Sequence, residues 1–277
     1  MTIRKATERD VPAIVELLKL SLGEDLLPKS EAFWNWKHNQ NPFGESPVFV
    51  QEDGGRIVGV RAFMQWRWIQ KGKIYKALRA VDTATHPDYQ GKGIFKKLTL
   101  GLVDESIKDG YDFIYNTPNS SSMPGYLKMG WQTLGKPSIR IRPSLAMILT
   151  RTGILKRTLD VQKFAPYATN QVFSDTEALA KVVARKKSAD QSYLKTEISV
   201  DYLKWRYNSI PVHTYGCLHD LDTKASYCIF FRPKQTRFGI EGRITDALID
   251  TDKFSKQEFK QNFKKNIGCS KVCSICN

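Results

Sequence analysis

Gln90-Gly91-Lys92-Gly93 is the stretch of this sequence whose residue types are best suited to holding a ligand. Two residues without a Cβ let successive backbone N–H groups turn toward one point. The apolar positions Phe95, Leu98, Leu102 and Val103 then begin a helix. The unpaired N–H groups of a first helical turn, the positive end of the helix dipole, and Lys92, Lys96 and Lys97 together favour an anion with several oxygens, such as a pyrophosphate. Taken alone, a Gly-x-Gly pair is as often only a turn.

The elements that must position this loop are legible around it. Tyr75 to Thr85 alternates apolar residues with Thr and Lys, as a strand does, and Pro87 ends it. Upstream, Thr2 to Thr7 reads as a first strand, and Thr7 or Asp10 caps a helix carrying Val11, Ile14, Val15 and Leu18 on one face, with Gly23 as its stop. A second helix is expected from Lys29 to about Asn39, then a turn at Asn41-Pro-Phe-Gly44, then strands at Val48 to Glu52, Arg56 to Ile69 and Lys73 to His86. Beyond the loop helix, Asp109-Gly110 is a stop, Tyr111 to Tyr115 is the next strand, and Asn119-Ser-Ser-Ser caps a helix leading to Met123 and Tyr126. The aromatic residues Phe33, Trp34, Trp36, Trp66 and Trp68 could wall a cavity, but aromatics at helical and strand spacing are mainly core.

Gln90, Gly93, Asn119, Tyr126, Gly130 and Trp131 give this region a resemblance to the GNAT (general N-acetyltransferase) superfamily. That signature is Gln/Arg-x-x-Gly-x-Gly/Ala, followed by a late Asn and a Tyr-x-x-x-Gly-aromatic element. One position departs, since Phe95 stands where the family has Gly or Ala. The resemblance covers residues 1 to 143 and implies an α/β (α+β) fold, with a mixed, mostly antiparallel sheet and flanking helices. It implies acetyl-CoA as acyl donor. Backbone groups of Thr83 and Thr85, near Ala84, would pair with the pantetheine arm, and Gln90, Gly91, Lys92, Gly93, Ile94, Phe95 and Lys96 would surround the pyrophosphate. Asn119 would hydrogen-bond the cofactor arm or cap its helix. Tyr126 would protonate the departing thiolate. Asp82, a carboxylate on the strand expected to expose its end to the acyl group, is the candidate general base, or else forms a structural pair with Arg79. His86, next to Pro87, reads as a loop residue. No cysteine precedes Cys217, so a thiol nucleophile is not expected in this half.

The second half carries an internal echo. Phe33-x-x-Trp36-Lys-His-Asn39-x-x-Pro42 is matched by Tyr202-x-x-Trp205-Arg-Tyr-Asn208-x-x-Pro211, and Arg79-x-x-Asp82 by Arg243-x-x-Asp246. The expected organisation is therefore a first unit at 1–143, a linker at 144–170, and a degenerate, incomplete GNAT-like unit at 171–277. No glycine loop follows Asp246, and Asp250 and Asp252 would repel phosphate there.

Composition narrows the function classes. In 277 residues, 41% are apolar and 26% charged, as in ordinary globular proteins. No run approaches the length of a membrane span, the first residues lack the apolar core of a secretory signal, and a cytoplasmic enzyme is expected. The net charge of +15 is spread out and not interleaved with aromatic residues, so nucleic acid is a disfavoured partner and an anionic cofactor or substrate a favoured one. Cys269, Cys273 and Cys276 have a spacing able to hold an iron–sulfur cluster, but they also read as a short buried strand, and no metal is expected. The expected activity is transfer of an acetyl group from acetyl-CoA to a primary amine of a small molecule or a sugar, an amino sugar being the first guess. A Fem-type aminoacyl transferase using charged transfer RNA and a non-catalytic coenzyme A-binding scaffold are the other readings. Homo-oligomer formation is left open.

Overall fold

The computed structural model of the chain describes residues 1–24, 27–135, 167–189, 192–236, 239–250, 252–255 and 257. The chain divides into two units, one of Met1–Leu134 with Gln191–Val212, the other of Gly135–Asp190 with His213–Asn277.

The first unit is built on a long central pair of strands. β1 (Thr2–Lys5), β2 (Val48–Asp53), β3 (Arg56–Gln70), β4 (Lys73–Thr85) and β5 (Phe113–Tyr115) lie in that order, and β6 (Lys195–Thr196) pairs with the far end of β3. Every pairing is antiparallel except β4 with β5. Along β3, Ile57 to Met64 is buried without alternation, the mark of a strand covered on both faces. Val60 and Ala62 pack with Ile14, Leu17 and Leu18 of α1 (Val11–Leu22). Phe63 packs with Leu102 of α3 (Ile94–Lys108) and with Tyr126 of α4 (Met123–Lys128). The approach of α3 is close enough to require glycine in the sheet, because a Cβ at Gly59 would lie 2.5 Å from Ile94 Cγ2.

α2 (Glu31–His38) and α7 (Val200–Tyr207) give the internal echo a structural form. Ser30 Oγ accepts from Phe33 N at 3.1 Å, and Ser199 Oγ accepts from Tyr202 N at 3.0 Å, so a serine opens each helix. Equal spacing from these caps sets Trp36 and Trp205 at the same place on their helices. Their rings stack at 4.5 Å with an interplanar angle of 10°. Each indole N–H donates to the other tryptophan's carbonyl oxygen, at 2.8 and 2.7 Å. This docking explains why residues 191–212 cluster with the first unit, although the sequence assigns them to a second unit beginning at 171. Phe33, Trp34, Trp36 and Trp66 are all buried, as core aromatics are. Ser199→Ala is expected to lower the unfolding free energy by about 1 kcal/mol, measured by urea titration.

The second unit contains α5 (Thr169–Val172), α6 (Thr176–Ala189) and an antiparallel meander of β7 (Gly216–His219), β8 (Tyr227–Thr236) and β9 (Gly239–Ile249). Leu218, Tyr227, Ile229 and Phe231 form its core cluster. Like β3 and β4, β8 and β9 slip register once. The extra residue is Asp82 in β4 but Thr245 in β9, so Asp246 stays within the ladder opposite Phe230. Asp250, expected to repel phosphate, is buried and paired with Arg185 at 3.3 Å. Cys217 and Cys228 are buried and reduced, and burial pushes the Cys217 thiol well up from its ordinary value. Of the linker expected at 144–170, residues 144–166 lie outside the described residues, as do Cys269, Cys273 and Cys276.

Candidate active site

β4 parts from β5 at the place where the cofactor-binding residues were expected. Their pairing ends with Arg79 opposite Tyr115, whereas β4 runs on to Thr85. His86 N donates to Val58 O of the neighbouring strand at 2.9 Å. By the alternation of an antiparallel ladder, Ala84 then directs its backbone groups to β3, and those of Thr83 and Thr85 face the opened edge. Thr85 O accepts from Ser21 Oγ at 3.2 Å.

The opened edge leads into the glycine loop. A short 3-10 turn, Pro87–Tyr89, carries the chain to Gln90, with buried His86 accepting at Nε2 from Arg56 Nη2 at 2.7 Å, a structural post at the loop entry. Gly91 and Gly93 have φ of 75° and 74°, and a Cβ on either would meet nothing within 4 Å. The space above the loop is therefore open. Gly93 caps α3, whose first intrahelical acceptor is Gly93 O, taken by Lys97 N at 3.0 Å. The N–H groups of Ile94, Phe95 and Lys96 thus have no acceptor within the helix. Lys92 lies over the Tyr89 ring at 4.3 Å, and Lys96 and Lys97 are exposed.

Phe95 does not fill this space. Its ring meets Tyr126 edge-on at 5.5 Å, and a Cβ on Gly125 would lie 3.0 Å from it. Loop and α4 accommodate each other, the bulky residue of one facing a residue without a side chain in the other. Tyr126 is 4% exposed and its oxygen accepts from Arg61 Nη2 at 2.6 Å. Asn119 closes the turn ahead of α4, Oδ1 accepting from Ser122 N and Ser122 Oγ, both at 2.9 Å, and Ser122 is the N-cap.

Asp82 sits in the bulge between β3 and β4, with φ of 35°, a strained value for a residue with a side chain. Its partner is not Arg79, which donates to Thr117 Oγ1. Instead Oδ2 accepts from Lys37 Nζ at 2.6 Å and from His38 Nε2 at 2.8 Å, both on α2. Burial disfavours the charge of Asp82, but the Lys37 ammonium and the His38 hydrogen bond outweigh it and hold the carboxyl well below the usual range. His38, 1% exposed, is pushed down from the ordinary imidazole value by burial, against the pull of Asp82. A neutral ring that donates from Nε2 accepts at Nδ1, where Ser46 Oγ lies at 2.9 Å. Oδ1 of Asp82 has no hydrogen-bond partner among the described residues.

Two clusters result: Tyr126 with Arg61 and Phe95, and Asp82 with Lys37 and His38. The sequence reading named Tyr126 and Phe95 in the first cluster and Asp82 in the second, and none of the polar partners. Arg61 had a signal, as the lone charge in the apolar run Ile57 to Met64. Lys37 and His38 had none beyond lying in the last turn of α2. Among the described residues there is no group of His, Cys, Asp or Glu able to hold a metal ion, and no helix long and apolar enough to cross a membrane.

Residues 2–134 match the family model described as the acetyltransferase (GNAT) domain. The L-methionine sulfoximine/L-methionine sulfone acetyltransferase of Salmonella typhimurium is 31% identical over 121 residues, which is 40% of this chain and 66% of that protein. The L-amino acid N-acyltransferase MnaT of Escherichia coli is 30% identical over 112 residues, 38% of this chain and 63% of that protein. The chain thus spans just under two thirds of the length of these curated relatives. An acetyltransferase structure from Trypanosoma brucei aligns at a TM-score of 0.41 and 22% identity, over 51% of this chain and 99% of that one.

Proposed function

Because residues 2–134 form a domain of the acetyltransferase (GNAT) family, we propose that this protein is an N-acyltransferase moving an acetyl group from acetyl-CoA to a primary amine of a small molecule or sugar. One observation carries the reading: past Arg79 the edge of β4 is no longer paired with β5 and runs directly into a loop with open space beside Gly91 and Gly93 at the start of α3. A strand edge suits the amides of a pantetheine arm, and the loop suits its pyrophosphate. Backbone groups of Thr83 and Thr85, on either side of Ala84, hold the arm, and Gln90 to Lys96 the phosphates. Asn119 holds the turn into α4.

In this mechanism the amine lone pair attacks the thioester carbon in a ternary complex, and no covalent acyl-enzyme forms. Asp82 Oδ1 accepts a hydrogen bond from the amine and orients it, while Lys37 and His38 hold Oδ2. A carboxylate so strongly stabilised is a weak base, so the amine's proton passes on to water. Tyr126 protonates the departing sulfur. The second unit, without a glycine loop after β9, serves as a non-catalytic degenerate copy. A cradle for pyrophosphate gives no advantage to a transfer-RNA donor, which disfavours the Fem-type reading. L-Amino acids enter as acceptors through the names of the two relatives, beside amino sugars.

The test is calorimetric titration with acetyl-CoA, followed by release of thiol in the presence of L-amino acids, amino sugars, aminoglycosides and polyamines. Micromolar binding and amine-dependent thiol release are expected. Gly93→Asp, which sets a carboxylate among the phosphates at a left-handed φ, is expected to weaken binding at least about tenfold. Binding without turnover on any amine would leave the scaffold reading. Absence of binding by the unmodified chain would remove the coenzyme A reading itself.

A further inference from the structure

Arg61 is fully buried on β3, yet most of its hydrogen-bonding capacity is unspent. Nη2 donates to the Tyr126 oxygen, while Nε and Nη1 have no partner among the described residues. The guanidinium is enclosed by rings, with its carbon 4.9 Å from the Phe63 centroid, 5.3 Å from Tyr126 and 5.7 Å from Phe95. Among the described residues no carboxylate is hydrogen-bonded to it, and Asp82 acts on it only through its charge. Leaving a buried arginine this poorly satisfied costs stability, so a role beyond packing is indicated.

The direction of the one bond it makes is informative. An arginine N–H can only donate, so the Tyr126 oxygen is the acceptor, and the phenolic hydrogen must point elsewhere. That hydrogen has no acceptor among the described residues.

We propose that Arg61 is a positioning residue for Tyr126: its N–H fixes the phenol as acceptor, turns the phenolic hydrogen toward the departing sulfur, and balances the phenolate left behind. The proposal rests on the reading of Tyr126 as the proton donor. In the step it serves, the C–N bond forms from the amine lone pair and the C–S bond breaks, its electron pair staying on sulfur. Sulfur takes the Tyr126 proton as the O–H bond breaks. The phenolate is held against Arg61 until water returns a proton, and the proton lost by the amine goes to water. In a site that excludes water a fixed positive charge next to the developing phenolate is screened less than it would be in solution. Phe95 completes the arrangement. A glycine or alanine at position 95 would open one side of the guanidinium, whereas the ring walls it and keeps that charge directed at the phenol.

The test compares Arg61→Met, which keeps the stem without charge or donor, Arg61→Lys, which keeps charge and a donor, Tyr126→Phe, and the double variant Arg61→Met/Tyr126→Phe. Arg61→Met is expected to lower kcat about 100-fold with KM for acetyl-CoA within about twofold, and Arg61→Lys to recover about tenfold of that. The double variant is expected to be no slower than Tyr126→Phe alone, because Arg61 acts through the phenol. Multiplied losses in the double variant, or wild-type kcat in Arg61→Met, would overturn the proposal. A second readout needs no turnover. With tyrosine labelled at the phenolic ring carbon, the Tyr126 resonance, identified by its loss in Tyr126→Phe, is expected to move in Arg61→Met and to return toward its place in Arg61→Lys. An unmoved resonance overturns the proposal even if the protein is an active transferase. A moved one sustains Arg61's hold on the phenol even if no amine is acetylated, in which case it is the transferase reading that fails. Should Arg61→Met not fold, Arg61→Lys carries both measurements, with a kcat about tenfold below wild type expected and an unchanged kcat and resonance overturning.

Discussion

Tyr126→Phe is expected to lower kcat by about 10²- to 10³-fold while leaving the Kd for acetyl-CoA within about twofold. The substitution removes one oxygen and keeps the ring, whose contacts with Phe95 and Trp131, at 5.5 and 5.3 Å, hold α4 against the loop helix. In the proposed binding mode the cofactor's phosphates meet backbone N–H groups of the loop, which this substitution does not touch, so the loss is expected to fall on a step made only in the transition state. Removing the oxygen also strands the last bonded nitrogen of Arg61, which costs about 1–3 kcal/mol of stability. Kinetics should therefore be read well below the melting transition of the variant. Thiol release with the best acceptor of the amine panel gives kcat, and calorimetry gives Kd. A variant that keeps wild-type kcat would make water the proton donor and reduce Tyr126 to a packing residue.

How far such a site can be read from sequence depends on the range of the forces that shape it. The strands β2, β3 and β4, the helices α1 and α3 and the glycine loop were legible because each is declared locally, by periodicity, a cap or a stop. Phe95 shows the limit of local reading. A bulky residue in the loop suggests a disturbed cradle, but the ring leaves the loop and packs against Tyr126, where Gly125 makes room for it. Nothing between positions 90 and 96 says that the accommodation lies on another helix. Asp82 fails to meet Arg79 for a similar reason. Residues three apart on a strand point to opposite faces, and the bulge at Asp82 turns it further, to a lysine and a histidine supplied by α2. The echo between Trp36 and Trp205 was visible as similarity and suggested two separate copies. That two like helices also bind each other, drawing residues 191–212 into the first unit, is a property of shape that no spacing reveals.

Asp82→Ala is expected to lower the unfolding free energy by about 3 kcal/mol near neutral pH and to change the response to acid. The loss leaves Lys37, 17% exposed, and His38, 1% exposed, without their shared carboxylate, and breaking such a partly buried set from one side costs far more than an exposed ion pair would give. In the wild type, burial works against the Asp82 charge, but Lys37 and His38 overcome it, so its carboxyl titrates lower in the folded chain than in the unfolded one. Protons then bind the unfolded chain first. The stability due to this group is complete above about pH 4 and is lost as the pH falls further. His38 acts in the same direction at a higher pH. Burial lowers its imidazole from about 6.5, so the unfolded chain is again protonated first as the pH drops below that value. Urea titrations between about pH 7 and pH 3 should show wild-type stability declining in two stages, and the Asp82→Ala curve keeping the first and losing much of the second. Parallel curves would mean that the ion pair to Lys37 contributes nothing to folding. The kinetic counterpart separates the carboxylate's two roles. If Asp82 orients the acceptor through Oδ1, its loss raises KM for the amine about tenfold or more with little effect on KM for acetyl-CoA, whereas a purely structural carboxylate would leave both unchanged wherever the variant is folded.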